Sequence, residues 1–247
     1  MLARSLATLA LVWLSISTSV ATQQIDLYAY HAAPPFLVNP DTSTGLNSEI
    51  IKVLQPLVGA DYQLQLKQVT RPVVNKRLAQ GLPTIVLWTH PSWYGAEAKS
   101  YLWAAPLFAD RDVLVSLTAD KRQPFPTDGY TLGALTGYSY PGLNEKVAAG
   151  QIKRLDAASD KENLLKLLDR RVDAIMITRS SFLYFAKQPQ YVGKFHVVGQ
   201  PYEDYHRQVL LTQHYQEFAP VLSAALKRLE KSPVWQERLE LYGLKAD

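Results

Sequence analysis

The chain has 247 residues, no cysteine and a formal net charge of +4 at pH 7. The lack of cysteine excludes disulfide bridges, thiol nucleophiles and a lipidated N-terminal cysteine. No run of five basic residues occurs, which argues against nucleic-acid binding. The length suits one large domain or two smaller lobes.

The N-terminus is predicted to be a secretory signal peptide that ends at Ala21. One basic residue, Arg4, precedes an apolar run from Leu6 to Ile16, and small residues then lead to the cleavage site. The apolar run is too short for a stable membrane span. We therefore expect an exported protein that starts near Thr22 and has no stable membrane insertion.

The first part of the mature chain alternates between strand and helix patterns. Strands are predicted at 25–30, 62–69 and 84–88, and helices at 48–58 and 72–80. Tyr62, Leu64 and Leu66 alternate with polar residues, which indicates a half-buried strand. The segment 84–88 is continuously apolar, as expected for a strand covered on both faces.

A proline-stiffened aromatic loop joins the first strand to the first helix. Pro34 and Pro35 fix the backbone and bend the chain, and Phe36 follows directly. Loops at the carboxyl ends of strands line the ligand crevice of open α/β folds. The loop is therefore a candidate wall of a binding site, although a plain turn with Phe36 in the core fits the pattern equally well.

A second series of strand–helix units follows a polar, proline-containing segment at 118–128. Before it lie an aromatic segment at 90–108 and a strand at 112–117. A capping box formed by Ser159 and Glu162 starts one of the later helices. Beyond the boundary, strands are predicted at 130–135, 152–156, 173–178, 195–198 and 208–212, with helices at 141–149, 159–168 and 180–187 and two more at the C-terminus.

Four segments carry a family resemblance: the Pro-Pro-Phe loop with Gly45 and Glu49, WAAPLF (103–108), LGALTG (132–137) and LLKLLDRRVDAIMI (164–177). Their order and spacing resemble the bacterial extracellular solute-binding proteins of family 3, best known as amino-acid-binding components of ABC importers. The resemblance implies an α/β fold of the type II periplasmic binding protein class. In that fold two lobes, each a mixed sheet flanked by helices, are joined by a two-strand hinge.

The resemblance also implies how the chain is divided. Lobe one is expected at 22–115 plus 208–247 and lobe two at 116–207, with crossing strands near 112–117 and 208–212. A small ligand would bind between the lobes of a periplasmic monomer, and the lobes would close by hinge motion. An ABC permease or a membrane sensor would then recognise the closed form.

Both charged anchors of the family's amino-acid site are missing from their expected positions. The arginine that clamps the ligand carboxylate falls at about Glu97, and the acid that holds the ammonium falls at Thr178, which Arg179 follows. A bidentate guanidinium is the group suited to a carboxylate. We therefore expect a ligand other than a standard α-amino acid, unless Arg71, Arg111 or Arg179 substitutes.

Aromatic and neutral polar residues remain at the expected cleft positions. The segment 136–139 is expected at a helix start, where free backbone amides favour an anionic or carbonyl group. Trp88 and Trp93 fit the core as well as the cleft. The candidate ligand-binding residues are Tyr30, His31, Phe36, Trp88, Thr89, His90, Trp93, Gly137, Tyr138, Ser139, Thr178 and Arg179.

Metal binding and catalysis are the weaker interpretations. His31 and His90 have no third ligand spaced near them, so no metal and no cofactor are expected. The sequence has no Gly-x-Ser-x-Gly, His-Glu-x-x-His or phosphate-loop motif, and a non-enzyme is predicted. A cyclohexadienyl-dehydratase-like enzyme would need a cleft acid, for which Glu97 is the candidate. The other alternative to transport is a periplasmic module that senses a ligand for a membrane receptor.

Overall fold

A computed structural model describes residues 22–120, 128–140 and 142–244. The predicted signal peptide, most of the polar boundary segment and Pro141 lie outside these residues. In the described parts of the chain, no helix is long and apolar enough to cross a membrane.

The N-terminal part forms two parallel strand–helix–strand units. Strand β1 (Gln23–Ala29) pairs in parallel with β2 (Tyr62–Gln68) and with β3 (Ile85–Thr89). Helices α1 (Leu46–Val58) and α2 (Arg71–Ala79) form the connections, because parallel neighbours need a crossover. Every residue of β3 is buried, as its continuous apolar pattern predicts.

The next segments lead out of this first sheet region. A 3₁₀ segment spans Pro91–Ser100 and is followed by the two-residue strand β4 (Leu102–Trp103). Strand β5 (Phe108–Leu117) begins four residues before the predicted 112–117 strand. Its extra residues pair with a later strand, and this pairing supplies hydrogen bonds that the local sequence does not reveal.

The second series of units follows the boundary. Ser159 caps α4 by accepting from the Glu162 amide, and the Glu162 carboxylate accepts from the Ala158 amide, which confirms the capping box. The elements are β6 (Thr131–Leu135), α3 (Leu143–Ala148), β7 (Lys153–Ala157), α4 (Asp160–Leu168), β8 (Ala174–Thr178), α5 (Arg179–Ala186), β9 (Phe195–Leu211), a 3₁₀ turn (Gln213–Tyr215), α6 (Phe218–Glu230) and α7 (Pro233–Leu241).

The prediction of two separate strands at 195–198 and 208–212 is wrong, because β9 is one strand of 17 residues. Gly199 and Pro201 interrupt the strand pattern in the sequence. At this point the pairing of β9 with β5 shifts its register, and Gly199 adopts a φ of 71°. The pairing with β5 resumes beyond the shift, so β9 continues as one strand to Leu211.

The strand order is β2-β1-β3-β9-β5-β8-β6-β7. The antiparallel pair β5/β9 therefore lies between the two parallel regions and links them. Separate hydrophobic clusters fill the two regions: one packs α1, α6 and α7 on β1 and β3, and others pack around β6 and β8. We call the first region, with α2, lobe one, and the second, with α3, α4 and α5, lobe two.

Candidate functional site

A buried ion pair lies on the strand pair that links the lobes. Arg207 of β9 donates through Nε to Oδ2 of Asp110 on β5 at 2.7 Å, and both side chains are 1% exposed. Its Nη1 donates to the Trp88 carbonyl at 3.0 Å and its Nη2 to the Tyr205 hydroxyl at 3.4 Å. Each of the three guanidinium nitrogens therefore already has an acceptor within the protein.

Asp110 also connects this pair to α5. Its carboxylate accepts from the Ser180 amide at 3.1 Å and from the Ser180 hydroxyl at 2.7 Å. A buried charge is tolerated when it is paired and its remaining lone pairs are hydrogen-bonded. The Asp110 carboxylate meets both conditions, so it fixes β5, β9 and the start of α5 in one arrangement.

His31 lies next to the Arg207 guanidinium. Its Nε2 is 3.0 Å from the Trp88 carbonyl and 3.3 Å from Arg207 Nη1. A carbonyl only accepts and a guanidinium only donates, so the ring nitrogen satisfies one of these partners at a time. Burial, and then the positive charge of Arg207, hold the pKa of His31 well below its usual value. The imidazole is therefore neutral at physiological pH.

Asn47 holds the proline-rich loop in place. Its amide nitrogen donates to the His31 carbonyl at 3.1 Å and to the Gln68 side chain at 2.8 Å. Its side-chain oxygen accepts from the Trp88 indole at 2.7 Å. The residue is fully buried, so one polar side chain at the start of α1 positions the loop, the end of β2 and Trp88 together.

Aromatic rings cluster beside His31. Its ring centroid is 4.3 Å from that of Tyr30 and 6.2 Å from that of Trp93, which in turn is 5.2 Å from Tyr205. Arg71 donates to the Tyr30 hydroxyl at 2.7 Å and lies over the Tyr30 ring. Aromatic rings that also carry a hydrogen-bonding group, as these do, suit an organic ligand.

A hydrogen bond brings lobe two to the proline-rich loop beside this cluster. The Ser181 hydroxyl of α5 donates to the Pro34 carbonyl of the proline-rich loop at 2.6 Å. The lobes therefore meet through α5.

Three solved structures are similar to the chain over most of its length. The glutamate-bound GluR0 ligand-binding core from Nostoc punctiforme has a TM-score of 0.66 and 15% identity, and the match covers 87% of this chain and 98% of that one. The unliganded L-cystine solute receptor of Neisseria gonorrhoeae has a TM-score of 0.65 and 14% identity, covering 89% and 92%. The BvgS VFT2 domain from Bordetella pertussis has a TM-score of 0.59 and 17% identity, covering 89% and 91%.

The chain has the two-lobe fold of the periplasmic binding proteins. No family model and no curated protein matches the sequence. The resemblance seen in the sequence motifs is confirmed at the level of the fold, including its mixed α/β lobes. Sequence identities of 14–17% do not show which ligand the chain binds.

Among the predicted site residues, the structure brings Tyr30, His31 and Trp93 together. His90 lies nearby, with its ring 6.2 Å from that of Trp93, and it caps the 3₁₀ segment by accepting from the Ser92 amide. These residues follow β1 and β3, whose carboxyl ends meet at one edge of the sheet.

Trp88, Thr89 and Phe36 form the packed wall behind these residues. Trp88 is fully buried at a φ of 62°, and its ring packs between those of Phe36 and Trp235. Thr89 is also buried and donates to the Tyr94 hydroxyl at 3.0 Å. We therefore assign these residues to packing and shape rather than to direct ligand contact.

The expected helix start at Gly137, Tyr138 and Ser139 is corrected by the structure. Helix α3 begins at Leu143, so the three residues form an exposed turn before it. Gly137 adopts a φ of 79° in this turn and allows the chain to reverse. The helix-terminal amides proposed as an anion site are therefore not located at these residues.

Thr178 and the candidate substitute arginines have other roles. The Thr178 hydroxyl caps α5 by accepting from the Ser181 amide at 3.3 Å. Arg111 pairs with Asp204 on the surface, and Arg179 lines a cavity between α5 and α7. Arg71, the third arginine considered, contacts a predicted site residue, Tyr30.

Glu97 lies outside the aromatic cluster. Its side chain is exposed, and its charge acts on Tyr101, whose pKa is raised chiefly by burial and then by Glu97. Within the described ranges, no group of three or more histidine or acidic residues is placed to hold a metal ion.

Four residues at this site went unrecognised in the sequence. Tyr205 and Arg207 could have been found from the alternation of β9, because they alternate with exposed residues up to the buried Val209. Asp110 has no comparable signal, since its role depends on pairing with a residue 97 positions away. The four are Asn47, Asp110, Tyr205 and Arg207.

Proposed function

We propose that the chain is a periplasmic solute-binding protein that captures a small polar or organic ligand between its lobes. The observation that carries the proposal is the cluster of Tyr30, His31 and Trp93 on lobe one, beside the proline-rich loop that Ser181 of lobe two contacts. Ligand sites for small organic molecules typically combine apolar and aromatic side chains with a few polar groups that orient the ligand. The neutral imidazole of His31 supplies one such polar group.

The ligand we propose is not a standard α-amino acid. To bind a carboxylate in a bidentate geometry, a guanidinium needs two N–H donors that are not already used. Arg207 directs its Nε to Asp110, and its Nη atoms have acceptors of their own. Arg71 directs its Nε to Asn75 and its Nη1 to Tyr30. In both arginines the Nε–H that a side-on bidentate contact with an α-carboxylate needs is therefore already used.

Ligand capture would follow the hinge motion of this fold. The predicted limits, 22–115 plus 208–247 for lobe one and 116–207 for lobe two, belong to the proposal, as do export by a cleaved signal peptide and a monomeric state. The hinge would be the β5/β9 pair, since it links the two lobes in the strand order. Ligands that contact both lobes favour the closed arrangement.

Transport through an ABC importer is the first role we propose, and sensing for a membrane receptor is the second. The fold match to a solute receptor supports the first, and the match to a BvgS domain supports the second. The two roles differ in the partner protein. A permease and an ATPase encoded beside this chain would favour transport, whereas a membrane kinase or cyclase would favour sensing.

We propose no catalytic activity. The dehydratase alternative needs an acid among the ligand-binding residues, and its candidate, Glu97, lies beside Tyr101 instead. The similar structures are binding and receptor proteins, which supports the same interpretation. Turnover of prephenate by the purified protein, lost on Glu97→Gln, would contradict it.

A thermal-shift screen of the mature protein tests the proposal. Amino acids, amines, organic acids and small peptides would be compared, and a ligand at 100 times its Kd should stabilise the fold by about 2.7 kcal/mol. Trp93→Ala should abolish the ligand-induced shift, whereas Trp103→Ala, which truncates another half-buried indole of lobe one, should preserve it. Stabilisation by standard L-amino acids would overturn the assignment of ligand class.

A further inference from the structure

A second cavity lies between the lobes, next to the proline-rich loop. Its volume is about 370 Å³, and it is lined by this loop on one side and by α4, α5 and the turn after α5 on the other. That volume is within the range that small organic ligands occupy in proteins. Its lining includes Pro34, Val38, Asp160, Tyr184, Gln188 and Tyr191.

The Asp160 carboxyl group is the unusual component of this cavity. The residue is 4% exposed, and its Oδ1 has no hydrogen-bond partner. Buried polar atoms without a partner are rare in folded proteins, because an unmade hydrogen bond is costly. A ligand that carries a hydrogen-bond donor would remove this cost.

The charges around Asp160 favour a cation. Burial raises the pKa of Asp160 to about 7, Ser181 lowers it, and Asp112 on β5 raises it further. The Lys166 ammonium group on the same helix forms an ion pair with the Glu162 carboxylate, with an Nζ–Oε1 distance of 2.9 Å. Lys161 also lines the cavity, but its side chain is exposed. The two influences that raise this pKa are thus burial and a second acid, and an entering ammonium would relieve both.

The remaining walls suit the carbon skeleton of such a ligand. Tyr184 and Tyr191 present aromatic rings to the cavity, together with Phe185 of the lobe-two core. Aromatic faces attract cations as well as apolar groups. Gln188 adds a neutral donor and acceptor at the same wall.

We propose that this cavity binds the ammonium group of a small organic amine, with Asp160 as its counter-ion and Tyr184 and Tyr191 against its carbon skeleton. The inference rests on the proposed function as a solute-binding protein and adds a separate ligand site, because the cavity shares no lining residue with the aromatic cluster. Pro34 of lobe one and α5 of lobe two both line the cavity, and the Ser181 hydroxyl already joins them at 2.6 Å. An amine bound here would contact both lobes and favour closure.

Isothermal titration of the mature protein at pH 8 tests this site. The probes are 2-phenylethylamine and 1,4-diaminobutane, compared with 2-phenylethanol and 3-phenylpropionate as neutral and acidic counterparts. The amines should bind, and Asp160→Asn should weaken them at least about 30-fold, because a buried charge pair loses one partner. Asp169→Asn makes the same change at the exposed end of α4 and should leave the affinity within about twofold.

Lowering the pH to 5.5 should also weaken amine binding to the wild type, since Asp160 becomes protonated. Tyr184→Ala provides a second variant that leaves the carboxyl in place, and it should lower the affinity for 2-phenylethylamine more than that for 1,4-diaminobutane. Equal affinity of wild type and Asp160→Asn for the amines would overturn the inference.

The failure of this inference can be told apart from that of the proposed function. Neutral or acidic compounds that bind at Trp93 and are indifferent to Asp160→Asn would refute the amine site and leave a solute-binding protein. If no probe and no compound of the thermal-shift screen bound, both proposals would fail.

Discussion

Arg207 and Asp110 form an ion pair in which both side chains are almost completely buried, with an Nε–Oδ2 distance of 2.7 Å. The pair lies on the two strands that link the lobes, and Ser180 extends it to α5. The most deeply placed cation near the site is therefore a structural group. This is the physical reason why we look for a ligand without an α-carboxylate.

The first prediction concerns this pair. Asp110→Asn should lower the free energy of unfolding by about 3–5 kcal/mol, because Arg207 remains buried without its counter-ion. Urea unfolding of the mature protein measures the change. The control is Asp204→Asn, which breaks the surface pair with Arg111 on the same two strands and should cost at most about 1 kcal/mol. Equal effects of the two substitutions would show that the buried pair is not a structural anchor.

The second prediction concerns the pH dependence of stability. The pKa of Asp160 rises from 3.8 to about 7 on folding, chiefly through burial. Between these values the folded protein keeps a proton that the unfolded chain releases, so the protein loses stability as the pH rises. A tenfold change in the acid dissociation constant corresponds to about 1.4 kcal/mol of free energy.

The Asp160→Asn variant has no carboxyl group at this position, so its stability should not fall in this way as the pH rises. Its free energy of unfolding, measured with urea at each pH, should increase relative to that of the wild type as the pH is raised from 4 to 8. Asp169→Asn should follow the wild-type curve. A constant difference between Asp160→Asn and the wild type across this range would show that the carboxyl is ionised normally.

The third prediction concerns the contact between the lobes. Ser181→Ala removes the hydrogen bond to the Pro34 carbonyl and should cost about 1 kcal/mol. Because the lost bond joins the two lobes, small-angle X-ray scattering should also give a larger radius of gyration. Ser100→Ala removes a bond of similar length to the Glu97 carbonyl within lobe one and should leave the radius unchanged. An unchanged radius for Ser181→Ala would mean that this bond does not hold the lobes together.

The fourth prediction concerns Gly45, where the proline-rich loop meets α1. It adopts a φ of 139°, and a Cβ atom there would lie 2.3 Å from the Phe36 carbonyl oxygen. Gly45→Ala should therefore destabilise the fold by more than about 3 kcal/mol, through backbone strain and a steric clash together. Gly59→Ala has a φ of 90° but no atom within 4 Å of the new Cβ, so it should cost about 1–2 kcal/mol in thermal unfolding. Similar costs at both positions would exclude the clash as the cause.

Much of the fold could be predicted from local patterns. The continuous apolar segment at 84–88 is the buried strand β3, and Pro72 lies in the first turn of α2, as Pro residues prefer. The Ser159 capping box starts α4 where expected. These features depend on neighbours within a few residues, and the sequence displays them directly.

The centre of the site depends on distant pairings. Arg207 meets Asp110 only because β9 continues through Gly199 and resumes its pairing with β5 beyond the register shift. From the sequence, Trp88 at the end of its strand fits the core and the cleft equally well, and in the structure its indole donates to Asn47 and is buried. Such choices are made by tertiary contacts, so no local pattern in the sequence reveals them.

The distance between the lobes is the measurement that tests ligand capture most directly. The absence of cysteine allows one spin label in each lobe, through Lys52→Cys on α1 and Leu165→Cys on α4, both of which are exposed. Double electron–electron resonance would be recorded with and without the compound that raises the melting temperature most. We predict a distribution that becomes narrower and shorter when the compound is added. An identical distribution in both samples would contradict binding between the lobes.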